Sequence, residues 1–147
     1  MPLKDILLQI DSYPDPTPTE AIDQAVRFTA AIGGTISALA IEIDIKAISN
    51  RLADHLIGLS GLAQDEERKS AAACRAGLDD FTARARAAGV FGGTMTRRAD
   101  LYLVGEKVAE LARTRDLCII PLADPLDGQR GVAEAVIFGS GRSVLLF

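Results

Sequence analysis

Few side chains in this sequence combine a type and a spacing that could do chemistry. Asp11 and Ser12 close a short apolar run and place a carboxylate and a hydroxyl side by side. A carboxylate there can accept hydrogen bonds from a bound amine or hydroxyl, or cap backbone N–H groups of its own loop. Gly128 and Gly131 flank Gln129-Arg130. Paired glycines let backbone N–H groups close on phosphate oxygens, although they form plain turns more often. Arg130 beside them could pair with a phosphate, and Arg97-Arg98 could reach an anion. The commoner fate of such arginines is solvation, which at a sheet edge also discourages strand addition.

The remaining reactive types lack partners. His55 is the single histidine, with nothing at metal-ligand or acid–base spacing around it, and reads as a surface residue. Cys74 and Cys118 lie far apart and outside any C-x-x-C, so both read as small core residues. The sequence has no Ser-His-Asp constellation and no nucleophile elbow. It has no G-x-G-x-x-G after its first strand either. An enzyme is therefore the weakest functional class, and a binding module or an assembly module remains.

The elements that must position these residues follow from periodicity. Ile6-Leu7-Leu8-Gln9-Ile10 predicts a strand covered on both faces. Two prolines then break the chain, and Thr17-Pro18-Thr19-Glu20 predicts a helix start with Thr17 as cap and Pro18 at the first helical position. Ile22, Ala25, Val26, Thr29 and Ile32 keep helical spacing up to Gly33-Gly34. Thr35 to Ile43 predicts a second strand. Ile48, Leu52, Leu56 and Leu59 could form a short amphipathic helix. A long helix is expected from Gln64 to Ala88, with Cys74, Leu78, Phe81, Ala85 and Ala88 on one face. Val90 to Arg98 predicts a thin, Gly-bearing strand near a sheet edge. Asp100 caps the next helix, Leu117-Cys118-Ile119-Ile120 predicts a buried strand, and Val132 to Phe138 a short helix. Ser143 to Phe147 predicts the closing strand.

Strands alternating with helices imply right-handed parallel crossovers. The expected fold is therefore α/β: a doubly wound, mostly parallel five-stranded sheet with helices on both faces. Ligands in such sheets bind beyond the carboxyl ends of the strands, here at Asp11-Ser12, Ile43-Asp44, Arg97-Arg98 and Pro121 to Asp124.

Composition narrows the partners. The 147 residues fit one domain; 48% are hydrophobic and 24% charged, an ordinary globular mix that argues against disorder. Sixteen Lys and Arg stand against twenty Asp and Glu, and no cationic run exceeds Arg97-Arg98, so no nucleic-acid partner is expected. No apolar run approaches the roughly 18 residues that span a bilayer, so no membrane partner is expected. With no export signal and no disulfide framework, a cytoplasmic location is the expectation.

Several phrases resemble the universal stress protein family over essentially the whole chain. Ile6-Leu7-Leu8-Gln9-Ile10-Asp11-Ser12 is similar to its opening strand, which typically ends in Val-Asp-Gly or Val-Asp-Ser. Asp116-Leu117-Cys118-Ile119-Ile120 resembles its fourth strand. Val132-Ala133-Glu134-Ala135-Val136 resembles the start of its last helix, and Arg142-Ser143-Val144-Leu145-Leu146 its closing strand.

The resemblance implies a non-enzymatic stress-response module with ATP or another adenine nucleotide as cofactor and no metal. By that likeness Asp11 and Ser12 would meet adenine or ribose, and Ile41 would touch adenine through its backbone. Members that hold ATP carry G-x-x-G-x9-G-S/T after the fourth strand. Here Gly128-Gln129-Arg130-Gly131 supplies G-x-x-G, and Gly141 follows nine residues later, but Arg142 stands where Ser or Thr is usual. Aligning the last helix instead puts the family's G-S pair at Arg130-Gly131. Pro121 occupies the position where the family usually has Gly, which removes one N–H donor. The implied cradle is therefore incomplete.

Phe138 to Phe147 resembles the end of the first half of tandem members. The expected partner is thus a second domain of the same kind or a second copy, met through Val144, Leu145 and Leu146. In the alternative reading nucleotide binding is lost and the chain serves assembly alone.

Overall fold

A computed structural model describes residues 2–45, 58–122 and 129–147. Its centre is the apolar run near the N-terminus. Ile6, Leu7, Leu8, Gln9 and Ile10 of β1 (Asp5–Ile10) are at most 1% exposed, because this strand has a neighbour on each edge and helices over each face. β1 pairs in parallel with β2 (Thr35–Asp44) and with β4 (Leu117–Ile120). β3 (Phe91–Asp100) and β5 (Ser143–Leu146) pair in parallel outside them, giving the order β3-β2-β1-β4-β5. The chain winds from β1 out to β3, then returns to the other side of β1. That reversal opens a crevice at the carboxyl ends of the central strands.

The helices are α1 (Thr19–Ile32), α2 (Leu59–Ala87), α3 (Val104–Ala112) and α4 (Gln129–Gly139), with a 3-10 turn at Leu101–Leu103 leading into α3. Alternation along β1 divides them into two layers. Ile6, Leu8 and Ile10 pack with Ile22, Ala25 and Val26 of α1 and with Cys74, Phe81 and Ala85 of α2. Leu7 packs on the opposite face with Val108, Ala109 and Ala112 of α3 and with Ala133 and Val136 of α4. The same alternation puts Gln9, and then Asp11 just past the strand, on the α3–α4 side with Leu7. In α3, Gly105 allows close approach to α4: a Cβ on it would lie 2.7 Å from the Ala135 Cβ.

The expected five-stranded α/β sheet with helices on both faces is present, and every strand pair is parallel. Several boundaries differ from the sequence reading. Pro18, not Thr17, stands at the N-cap of α1, with no side-chain cap. Thr17 instead closes the loop after β1: its Oγ1 accepts from the Asp11 N–H at 2.7 Å, and its own N–H donates to the Asp11 carbonyl. The long helix begins at Leu59 instead of Gln64, and β3 runs on to Asp100. The last helix begins at Gln129, three residues before Val132, because Gly131 is tolerated within a first turn. Asp100 caps the 3-10 turn, accepting from the Tyr102 N–H at 3.0 Å, whereas the N-cap of α3 is Leu103, with no side-chain cap. Ile48, Leu52, His55 and Leu56 lie outside the described residues. Cys74 and Cys118 are buried free thiols, and burial pushes Cys118 up to about 12. Among the described residues no helix is long and apolar enough to cross a membrane.

Candidate functional site

β1 and β2 end on a cleft of about 340 Å³, within the range that takes small organic ligands. Gln9, Asp11 and Ser12 line it from β1 and the turn beyond, and Ile41 and Ile43 from β2. Tyr102 closes it from the turn before α3, Val104 from the start of α3, and Gln129 and Val132 from the start of α4. The wall is mostly apolar, and its acid–base groups are few.

Asp11 is the electrostatic centre of this cleft. It is only 7% exposed, and its Oδ1 accepts from the Gln9 Nε2 at 2.6 Å. Its Oδ2 and the Gln9 Oε1 are both buried without a hydrogen-bond partner among the described residues. An unsatisfied buried acceptor costs about 1–3 kcal/mol, so a pair of them on two residues that line one cleft is not a neutral feature of packing. Burial raises the Asp11 pKa from 3.8 to about 6, and the Gln9 hydrogen bond only partly opposes this.

Ser12 plays a different part. Its hydroxyl donates to the Ile41 carbonyl at 2.8 Å and meets the Ser70 Oγ at 2.7 Å. Ser70 in turn accepts from the Ile43 N–H at 3.0 Å. These bonds tie the end of β1, the end of β2 and α2 together, so Ser12 holds the cleft's shape and Ile41 already has a donor on its carbonyl.

The other site residues expected from the sequence are scattered. Pro121 is buried and does not line the cleft. Gly131 lies in the first turn of α4 beside Arg130, and Arg130 is largely exposed, its Nε 2.8 Å from the Glu134 carboxylate. Gly128 lies outside the described residues. Gly139 ends α4, and Gly141 follows with φ 64°, at the helix end that disfavours anions. Arg98 is engaged by Asp44 at 3.6 Å and Glu67 at 3.3 Å, and Arg97 bonds the Thr96 carbonyl. Val144 and Leu145 are half-buried and Leu146 is 38% exposed on β5, whose outer edge has no neighbouring strand among the described residues.

Sequence reasoning missed Gln9, Ser70, Tyr102 and Gln129. Gln9 had a signal, since a polar residue inside a doubly covered apolar run must find a partner. Ser70 stands one turn before Cys74 on the buried stripe of α2. A wider groove of about 940 Å³ runs between β3, α3 and α4. Its cations are engaged internally, Lys107 by Glu110 at 2.6 Å, Arg113 by the Gly139 carbonyl at 3.1 Å and Arg98 by Asp44 and Glu67.

No protein-family model and no curated protein matches this chain. Solved structures do. A universal stress protein family structure from Burkholderia pseudomallei superposes with a TM-score of 0.61 at 18% identity, covering 99% of this chain and 96% of its own. A universal stress protein in complex with cAMP gives 0.55 at 17% identity, covering 100% and 98%. A universal stress protein family protein from Arabidopsis thaliana with AMP bound gives 0.59 at 14% identity, covering 98% and 90%. The chain therefore has the universal stress protein fold over its whole length.

Proposed function

We propose that this chain is a non-enzymatic module of the universal stress protein family that holds an adenine nucleotide mainly by its nucleoside end. One observation carries the reading. The cleft at the carboxyl ends of β1 and β2 contains a buried carboxyl oxygen, Asp11 Oδ2, with no partner among the described residues. It lies where doubly wound sheets bind ligands. Two structures of the same fold, at low identity, are complexes with AMP and cAMP. The phosphate side is the incomplete part: Pro121 lacks an N–H, and Arg130 is engaged by Glu134.

Calorimetric titration with AMP tests this. Binding in the micromolar to submillimolar range is expected, weakened about tenfold by Asp11→Asn, the worth of one buried hydrogen bond. Absence of heat up to millimolar AMP, with the fold intact, would reject the reading. A second reading, assembly through β5 beside a second domain or a second copy, is supported by the open edge of that strand and the exposed Leu146.

A further inference from the structure

We propose that the cleft is built for an uncharged nucleoside or nucleobase and disfavours phosphate, with Gln9 and Asp11 together reading donor groups on it. The inference rests on the nucleoside-end reading above and fixes the ligand's chemistry. Gln9 Oε1 and Asp11 Oδ2 are acceptors, both buried, both without a partner among the described residues, and both on residues that line the cleft. They share the α3–α4 face of the sheet because they stand two residues apart at the end of one strand. A ligand that satisfies both must present two donors, as the amino group of adenine or the cis-diol of ribose does.

The charge around the cleft argues against phosphate. Among its described lining residues the formal charge is that of Asp11 alone, with no Lys, Arg or His. The cation next to the cleft-lining Gln129 in the chain is Arg130. That arginine is 75% exposed and pairs with Glu134. The N–H groups of a helix's first turn, such as that of α4, favour an anion. They act here without a cationic side chain lining the cleft and against a buried carboxylate. Each added phosphate therefore costs affinity more than it contributes.

The test uses the unmodified protein and a ligand panel followed by calorimetry: adenosine, AMP, ATP, inosine and 2′,3′-dideoxyadenosine. Adenosine is expected to bind most tightly, with AMP several-fold and ATP at least tenfold weaker. Loss of about tenfold on replacing the amino group (inosine) or removing the diol (dideoxyadenosine) assigns the donors. Either loss supports the proposal. Equal binding of adenosine and both analogues overturns the donor pair. ATP or AMP binding tenfold tighter than adenosine overturns the phosphate argument while leaving the nucleoside-end reading in place. Silence from the whole panel overturns both. Gln9→Met, which keeps the length of the side chain, should weaken adenosine about tenfold. Unfolding midpoints of this variant and the parent separate a lost contact from a lost fold.

Discussion

Replacing Asp11 by Asn should stabilise the fold at neutral pH and leave it unchanged in acid. In the folded chain the carboxyl titrates at about 6, against 3.8 for the free group, because burial penalises its charged form. The native state thus holds its proton more tightly than the unfolded state does. Well below pH 3.8 both states are protonated and the carboxyl contributes nothing. As pH rises from about 4 to about 6 the unfolded chain gives up its proton first, and stability falls. The difference between 3.8 and about 6 corresponds to about 3 kcal/mol above pH 7. Asn keeps an oxygen to accept from Gln9 Nε2, so the charge is the main thing removed. Urea unfolding of both proteins from pH 4 to pH 8 measures the difference directly. The expected gap is about 0.5 kcal/mol at pH 4 and grows to about 2–3 kcal/mol in favour of Asn at pH 7. A gap that is flat with pH, or an Asn variant less stable at pH 7, would refute the reasoning. A carboxylate kept at such a cost fits a binding role better than a structural one.

Three further outcomes follow from the packing. Gly105→Ala should destabilise by about 1–3 kcal/mol in denaturant melts, although helix propensity alone favours Ala, because its Cβ meets Ala135 at 2.7 Å. Ser70→Ala removes the acceptor of the Ile43 N–H and the partner of Ser12. It should cost about 1–3 kcal/mol and speed hydrogen exchange at Ile43. Asp116 accepts from the backbone N–H groups of Lys4 and Asp5, both at 3.0 Å, and these bonds hold its carboxyl below the usual range. Its contribution is present at neutral pH and lost as pH falls through the folded value. The difference in thermal midpoint between the parent and Asp116→Asn should therefore shrink in acid.

The fold was legible because its elements declare themselves by period. The doubly covered run at Ile6 to Ile10, the four-and-three stripe of Cys74, Leu78, Phe81 and Ala85, and the run at Leu117 to Ile120 each allow one element type. Element ends were less legible. Thr17 has a capping side chain, but the loop after β1 claims it through the Asp11 N–H, and no local pattern announces that competition. The start of α4 was placed late for a similar reason: Gly131 suggests a turn, while the helix accepts it. Of the site, Asp11 and Ser12 were visible as a strand end and Ile41 through the family resemblance, and the structure brings these three together. Arg130 and Pro121 were visible only as members of a motif, and a motif does not say which side chain an exposed arginine will prefer. Gln9 was readable in principle, as the polar member of an apolar strand. Tyr102 and Gln129 reach the cleft through tertiary placement that no local spacing encodes.

The central claim is that a nucleoside sits on the carboxyl ends of β1 and β2. Amide chemical-shift mapping during an adenosine titration addresses it most directly. The account predicts saturable shifts concentrated at Gln9, Asp11, Ser12, Ile43, Tyr102 and Gln129, with β5 silent. Shifts confined to Ser143 to Leu146, or scattered over the surface without saturation, would contradict it.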